Sequence, residues 1–180
     1  MRKGTQFLQY AFLSSLLAIS AQGMAAEKTI DIMKLSKNPD GKLEKIGTIT
    51  FKDTDKGLLV QPRLTGLEPG EHGFHIHENA SCNGEMTDHH FEPGKAGGDH
   101  LDPNHTGKHL GPYSSGHIGD LPTLMVDNKG ESQFAVVAPR LTVANISNHS
   151  VMIHEHGDNY SDSPKPMGGG GPRVACGVIK

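Results

Sequence analysis

The chain of 180 residues has the length of a single domain, and its 20 acidic and 17 basic residues give a net charge of −3. Nucleic-acid binding needs a basic surface, so we expect no nucleic-acid partner. The 12 histidines, 23 glycines and 11 prolines, with no tryptophan, indicate turns, long loops and metal ligands rather than helices.

The first 26 residues are predicted to be a secretory signal peptide. Arg2 and Lys3 precede an apolar stretch over residues 10–21, and mostly small residues follow at 23–26. A membrane anchor is the alternative, but about a dozen apolar residues are fewer than the ~20 that span a bilayer. We expect cleavage after Ala25 or Ala26 and a mature domain of residues 27–180 without a membrane segment. That domain keeps 15 basic and 20 acidic residues, net −5, because only two cations leave with the leader.

The mature chain shows strand-like alternation of apolar and polar residues and no helical period. Turn signals such as Asn38-Pro39-Asp40-Gly41 separate the runs. Two long segments, residues 78–120 and 155–173, lack a strand pattern, and irregular loops of that length are usually functional or held by a ligand. The sequence therefore predicts an all-β fold with two long functional loops. The predicted strands are residues 29–33, 46–51, 57–64, 70–77, 133–138, 150–154 and 174–179.

The two cysteines, Cys82 and Cys176, are expected to form a disulfide. Thiols persist as disulfides in the oxidising compartments to which exported proteins travel, and two cysteines allow one intrachain pairing. Two free thiols are the alternative interpretation. The bond would link the first long loop to the last predicted strand.

The histidines of one strand and of the first loop suggest a metal site. His75 and His77 lie two residues apart, so both side chains point to one face of a strand while Ile76 faces the core. Alone, such a pair also fits two exposed strand histidines. The loop adds three histidines and a carboxylate, and three nitrogens with one oxygen suit a tetrahedral zinc site. These loop residues are His100, His109, His117 and Asp120.

Several motifs make residues 27–180 resemble copper/zinc superoxide dismutase. Residues 157–162, followed by 164–171, resemble the bacterial periplasmic branch, which implies a periplasmic location. The resemblance also implies an eight-stranded Greek-key β-barrel, related to the immunoglobulin-like sandwich, and a homodimer. The motifs that carry it are Gly73-Phe74-His75-Ile76-His77-Glu78, Gly116-His117-Ile118-Gly119-Asp120-Leu121, Met152-Ile153-His154 and residues 168–179.

The resemblance implies a copper ion and a zinc ion joined by one bridging imidazolate, that of His100. The implied copper ligands are His75, His77, His100 and His154. The implied zinc ligands are His100, His109, His117 and Asp120. Every residue of this implied ligand set is present in the chain.

Two further residues and a reaction follow from the resemblance. Asp158 is implied to hydrogen-bond the outer nitrogens of His75 and His109, and Arg173 to flank the open copper position and attract the anion. The implied activity converts superoxide to O₂ and H₂O₂ by alternating Cu(II) and Cu(I), with His100 as proton carrier. Such an enzyme protects the exported compartment from oxidative damage.

Other interpretations stay open beside this one. A non-enzymatic relative would store or deliver metal without turnover, although neither a ligand nor the anion-guiding Arg173 is missing. An immunoglobulin-like binding domain is another candidate, against which the ordered ligand set counts. In addition to dismutation, an accessory haem or metal site near a dimer interface is predicted at His89 or His149, because imidazoles are suitable axial ligands.

Overall fold

A computed structural model of the chain describes residues 25–88 and 90–180, so most of the predicted signal peptide lies outside the described residues. Within the described part, no helix is long and apolar enough to cross a membrane. The described residues form an almost entirely β fold, as predicted, with one short α-helix. The elements are β1 (Glu27–Lys34), β2 (Glu44–Thr54), β3 (Gly57–Leu64), β4 (Gly70–His72), β5 (Phe74–His77), β6 (Glu85–Met86), β7 (Phe91–Glu92), β8 (Leu124–Val126), β9 (Val136–Ala138), α1 (Val143–Ile146), β10 (His149–His154) and β11 (Arg173–Ile179).

A seven-stranded antiparallel sheet in the order β5-β10-β11-β1-β2-β3-β9 forms the body of the fold. β4 pairs with β8, and β6 pairs with β7 in a small ribbon of the first long loop. If β4 and β5 are counted as one strand interrupted at Gly73, the sheet and β8 supply the eight predicted barrel strands. Ser132, after β8, forms an antiparallel bridge with Leu64 at the end of β3.

Two predicted strands differ from the structure. The strand predicted over residues 70–77 is interrupted at Gly73, whose amide donates to the carbonyl of His156 and whose carbonyl accepts from the amide of His154. β4, before Gly73, therefore pairs with β8, whereas β5, after Gly73, pairs with β10. The strand predicted from residue 133 begins only at Val136, where pairing with Val60 of β3 starts, and Phe134 before it is 64% exposed. Of the other predicted strands, residues 57–64 have the predicted bounds and the rest are slightly longer.

The apolar core lies inside the curled sheet. In β3, Leu58, Val60 and Leu64 are buried and alternate with more exposed residues, which is the pattern of a strand with one face on a core. Phe51 and Phe74 are the largest fully buried side chains of the described residues. Burying each of these side chains contributes about 1.5–3 kcal/mol. The core therefore gives β5 a rigid position from which to present polar side chains.

Candidate metal centre

Adjacent strands bring the predicted ligands together. β5 carries His75 and His77, and its neighbour β10 ends at His154. Isolated β-bridges tie the first long loop to β5 by pairing His77 with His100 and His75 with Asp120. The strands thus fix the positions of His75, His77 and His154. The bridges bring His100 and Asp120, at the two ends of the loop segment 100–120, next to β5.

Four histidines form a buried cluster on the strand side. The ligand atoms of His75, His77, His100 and His154 all lie within 4.8 Å of one another. The Nε2 atoms of His77 and His154 are 3.4 Å apart, and the rings of His75 and His100 stack with centroids 3.9 Å apart. Burial and neighbouring imidazoles hold the pKa values of His75 and His77 well below the usual range, and burial lowers the pKa of His154 to about 4. The rings are therefore neutral, which is the form that binds metal.

Asp120 lies at the centre of a second buried group. Its Oδ1 is 3.0 Å from Nδ1 of His100 and 3.5 Å from Nδ1 of His117, and its Oδ2 is 3.1 Å from Nδ1 of His109. Burial raises the pKa of this carboxyl, but hydrogen bonds and charges from His100 and His109 outweigh burial and hold it below the usual range. Burial lowers the pKa of His109, yet its bonds to Asp120 and Asp158 raise it to about 9.

Asp158 lies behind both groups and joins them. His75 donates its Nε2–H to Oδ2 of Asp158, and His109 donates its Nε2–H to Oδ1, each over 2.7 Å. The amide of Tyr160 also donates to Oδ1, over 2.7 Å. Because the outer nitrogen of each ring is held by the carboxylate, the Nδ1 atoms of His75 and His109 point into the centre.

The inward nitrogens have the pattern expected of metal ligands. His77 and His154 donate Nδ1–H to the carbonyls of Gly98 and Gly171, both over 2.9 Å, which leaves Nε2 of each ring facing the cluster. Buried polar atoms are normally hydrogen-bonded, so unpartnered ones call for a ligand. A set of imidazole nitrogens with one carboxylate suits copper and zinc. In the described ranges, Nδ1 of His75 is buried without a hydrogen-bond partner, and Nδ1 of His109 and of His117 meet only the carboxylate of Asp120, at 3.1 and 3.5 Å.

Arg173 is joined to the strand-side cluster through one carbonyl. Its Nη2 donates to the carbonyl of Gly98 over 2.8 Å, and the same oxygen accepts the Nδ1–H of His77. The side chain is partly buried, and its Cδ lies against the backbone of Gly94. Burial lowers the pKa of Arg173, but a guanidinium stays charged in proteins. Arg173 is therefore a fixed cation beside His77.

The disulfide that the sequence predicts is present between Cys82 and Cys176, with a Cα–Cα distance of 5.7 Å. Cys176 is fully buried in β11, where it packs with Leu35 and Met152. The crosslink holds the segment after β5 against the strand that begins at Arg173. The segment that carries Cys82 and the cation of Arg173 are thus both anchored to β11.

Some supporting contacts have no signal in the sequence. Asp162 accepts the amide of His109 through Oδ2 over 2.9 Å and the amide of Met167 through Oδ1 over 3.2 Å. An aspartate between serines in a loop is typical of a turn, so the pattern favours no such role. The carbonyls of Gly98 and Gly171 are backbone atoms, which a residue-type pattern does not reveal.

The predicted accessory site gains no support. His89 lies outside the described residues. His149 is half-buried and donates its Nδ1–H to the carbonyl of Glu78 over 2.7 Å, so one of its ring nitrogens is already engaged. His72, which the sequence left outside the metal set, is buried between the carbonyls of Glu68 and His154.

Comparison with known proteins places the chain in a family. The family model described as copper/zinc superoxide dismutase (SODC) matches residues 45–179. The chain belongs to the copper/zinc superoxide dismutase family. A relative named superoxide dismutase [Cu-Zn], from Escherichia coli strain K12, is 47% identical over 171 residues, covering 94% of this chain and 96% of the relative.

Solved structures of superoxide dismutases are similar over the same region. Cu/Zn superoxide dismutase from Brucella abortus has a TM-score of 0.82 and 43% identity, covering 86% of this chain and all of the other. The solution structure of the monomeric copper, zinc superoxide dismutase from Salmonella enterica has a TM-score of 0.76 and 47% identity, with the same two coverages. The protein is an enzyme, a superoxide dismutase with the β-barrel fold of its family.

Proposed function

We propose that this superoxide dismutase uses two metals at the centre described above. Copper is held by His75, His77, His100 and His154, and zinc by His100, His109, His117 and Asp120. The observation that carries the proposal is the division of ring nitrogens. His75 and His109 bind Asp158 through the outer Nε2, so that Nδ1 faces the centre, and His77 and His154 bind backbone carbonyls through Nδ1, so that Nε2 faces the centre. His100 belongs to both sets because its ring stacks on His75 while its Nδ1 faces Asp120.

The residues of the chain have separate roles in the reaction. Copper, when bound, supplies one-electron chemistry between Cu(II) and Cu(I), which oxidises one superoxide to O₂ and reduces the next to H₂O₂. Nδ1 of His100 is held on the Asp120 side, so Nε2 is the atom that takes up one proton and delivers it to the product, while the second proton of H₂O₂ comes from solvent. Arg173, held through Gly98, attracts the anionic substrate toward His77.

The metal assignment is tested on protein purified after expression of the full chain and loaded with copper and zinc. We expect both metals and dismutation in the wild type, and loss of zinc in His117→Ala. His90→Ala is the matched control, because this histidine side chain is 67% exposed. Wild-type protein that holds both metals but does not turn over superoxide would instead favour the metal-storage alternative.

Export and assembly are part of the proposal. Residues 1–26 act as the signal peptide, and residues 27–180 form the enzyme in the periplasm, which bacterial relatives and the disulfide support. Amino-terminal sequencing of protein recovered from a periplasmic extract tests the cleavage point. The proposed homodimer is tested by sedimentation, because a relative described as monomeric is among the similar structures. Haem binding at His89 or His149 stays a prediction, tested by titrating haemin into wild type and His149→Ala.

A further inference from the structure

One arginine outside the ligand set closes the zinc-side loop. Arg140 follows β9 by two residues and is partly buried. Its guanidinium donates four hydrogen bonds, all to backbone carbonyls: Nε to Pro112 over 3.0 Å, Nη1 to Gly116 over 3.1 Å, and Nη2 to Gly111 over 3.3 Å and to His117 over 2.5 Å. Four of its five N–H donors are therefore used on one short stretch of chain.

The four carbonyls form the neck of a small loop. Gly111, Pro112, Gly116 and His117 are buried, whereas the tip over residues 113–115 is exposed. Buried carbonyls need partners, and Arg140 supplies them where neither a helix nor a strand does. The planar fork reaches both sides of the neck at once, which a single ammonium group cannot do.

Two proposed zinc ligands depend on this neck. His117 accepts a bond from Arg140 through its own carbonyl. Asp120 accepts the amide of Gly111 through Oδ2 over 3.3 Å, and the carbonyl of Gly111 is bound by Arg140. The proposed copper ligands His77 and His154 are instead held by the carbonyls of Gly98 and Gly171. Contacts of Arg140 therefore lie on the zinc side of the centre.

We propose that Arg140 is a positioning residue that presets the zinc half of the centre and sets its affinity for Zn²⁺. The inference rests on the zinc site of the proposed function. Removing a group that orients metal ligands typically weakens metal binding about 10- to 100-fold. Because the four hydrogen bonds need the planar guanidinium group, Arg140→Lys loses this arrangement while keeping the positive charge and most of the aliphatic side chain.

Zinc and copper affinities of the full-length protein are measured separately, by titrating metal-free protein in competition with chromophoric chelators. Arg140→Lys and Arg140→Met are expected to weaken Zn²⁺ binding about 10- to 100-fold and to leave copper binding unchanged. Arg63→Met is the control, since this arginine lies on the exposed face of β3 and donates to Gln133 alone among the described side chains.

The outcomes separate three cases. Weaker zinc binding in Arg140→Lys with copper binding intact supports the inference, and this variant suffices if Arg140→Met does not fold. The inference is overturned if Arg140→Lys binds zinc with wild-type affinity. It is also overturned if the zinc and copper affinities fall equally, because an equal fall indicates general destabilisation. If His117→Ala binds zinc as tightly as the wild type, the proposed zinc site itself is wrong and the role of Arg140 falls with it.

Discussion

Removal of the disulfide should cost at least about a third of the stability of the metal-free protein. Cys82 and Cys176 are separated by 94 residues, and closing a loop of that length restricts the unfolded chain by about 4.7 kcal/mol in the chain-entropy model. Domains typically have about 5–15 kcal/mol in total. With a urea slope of about 2 kcal/mol per molar, the unfolding midpoint should fall by about 2 M.

The assay is urea unfolding of metal-free protein, followed by circular dichroism, so that metal binding does not add to stability. Oxidised wild type, reduced wild type and the variant Cys82→Ala/Cys176→Ala are compared. Reduced wild type keeps both sulfur atoms, so any further loss in the variant measures the packing of Cys176 against Leu35 and Met152. Equal midpoints for oxidised and reduced wild type would refute the argument, because the crosslink would then leave the unfolded chain unrestricted.

The remaining predictions concern the centre. His100→Ala should abolish fast dismutation even with both metals loaded, since the bridge and its proton are lost together, and full activity in a pulse-radiolysis assay would contradict that role. Arg173→Glu should lower kcat/KM and reverse its dependence on ionic strength because the local field changes sign, whereas an unaltered salt dependence would place Arg173 away from the anion path. In metal-free protein, Asp120 and Asp158 raise the pKa of His109 to about 9, above the unfolded value of about 6.5. The resulting stabilisation is present below pH ~6.5 and lost as pH rises through about 9. The urea midpoint should fall over that range, and a midpoint that does not depend on pH would count against the ion pairs.

The sequence predicts most of the strands because a strand depends on a local alternation of apolar and polar residues, and the predicted ligands lie close together in the structure. The two-residue spacing of His75 and His77 places both side chains on one face of a strand. The first long loop is rich in turn residues, so polar side chains rather than an apolar face are expected to hold it. The interruption at Gly73 was not predictable, since it arises from hydrogen bonds to residues about eighty positions away. Arg140 was missed for the same reason: its partners are backbone carbonyls, and an arginine after a strand has no distinguishing pattern.

The two halves of the centre should become ordered at different stages of folding. His75, His77 and His154 lie on strands that form with the barrel core, so their geometry is complete as soon as β5 pairs with β10. The zinc-side residues lie on a loop whose backbone is held mainly by side chains and single bridges, and such segments open at lower free energy than the core. Amide hydrogen exchange of the metal-free protein should therefore be slower at Ile76 and Ile153 than along residues 102–118. Folding apoprotein would then complete the strand-side pocket first and the loop held by Arg140 afterwards.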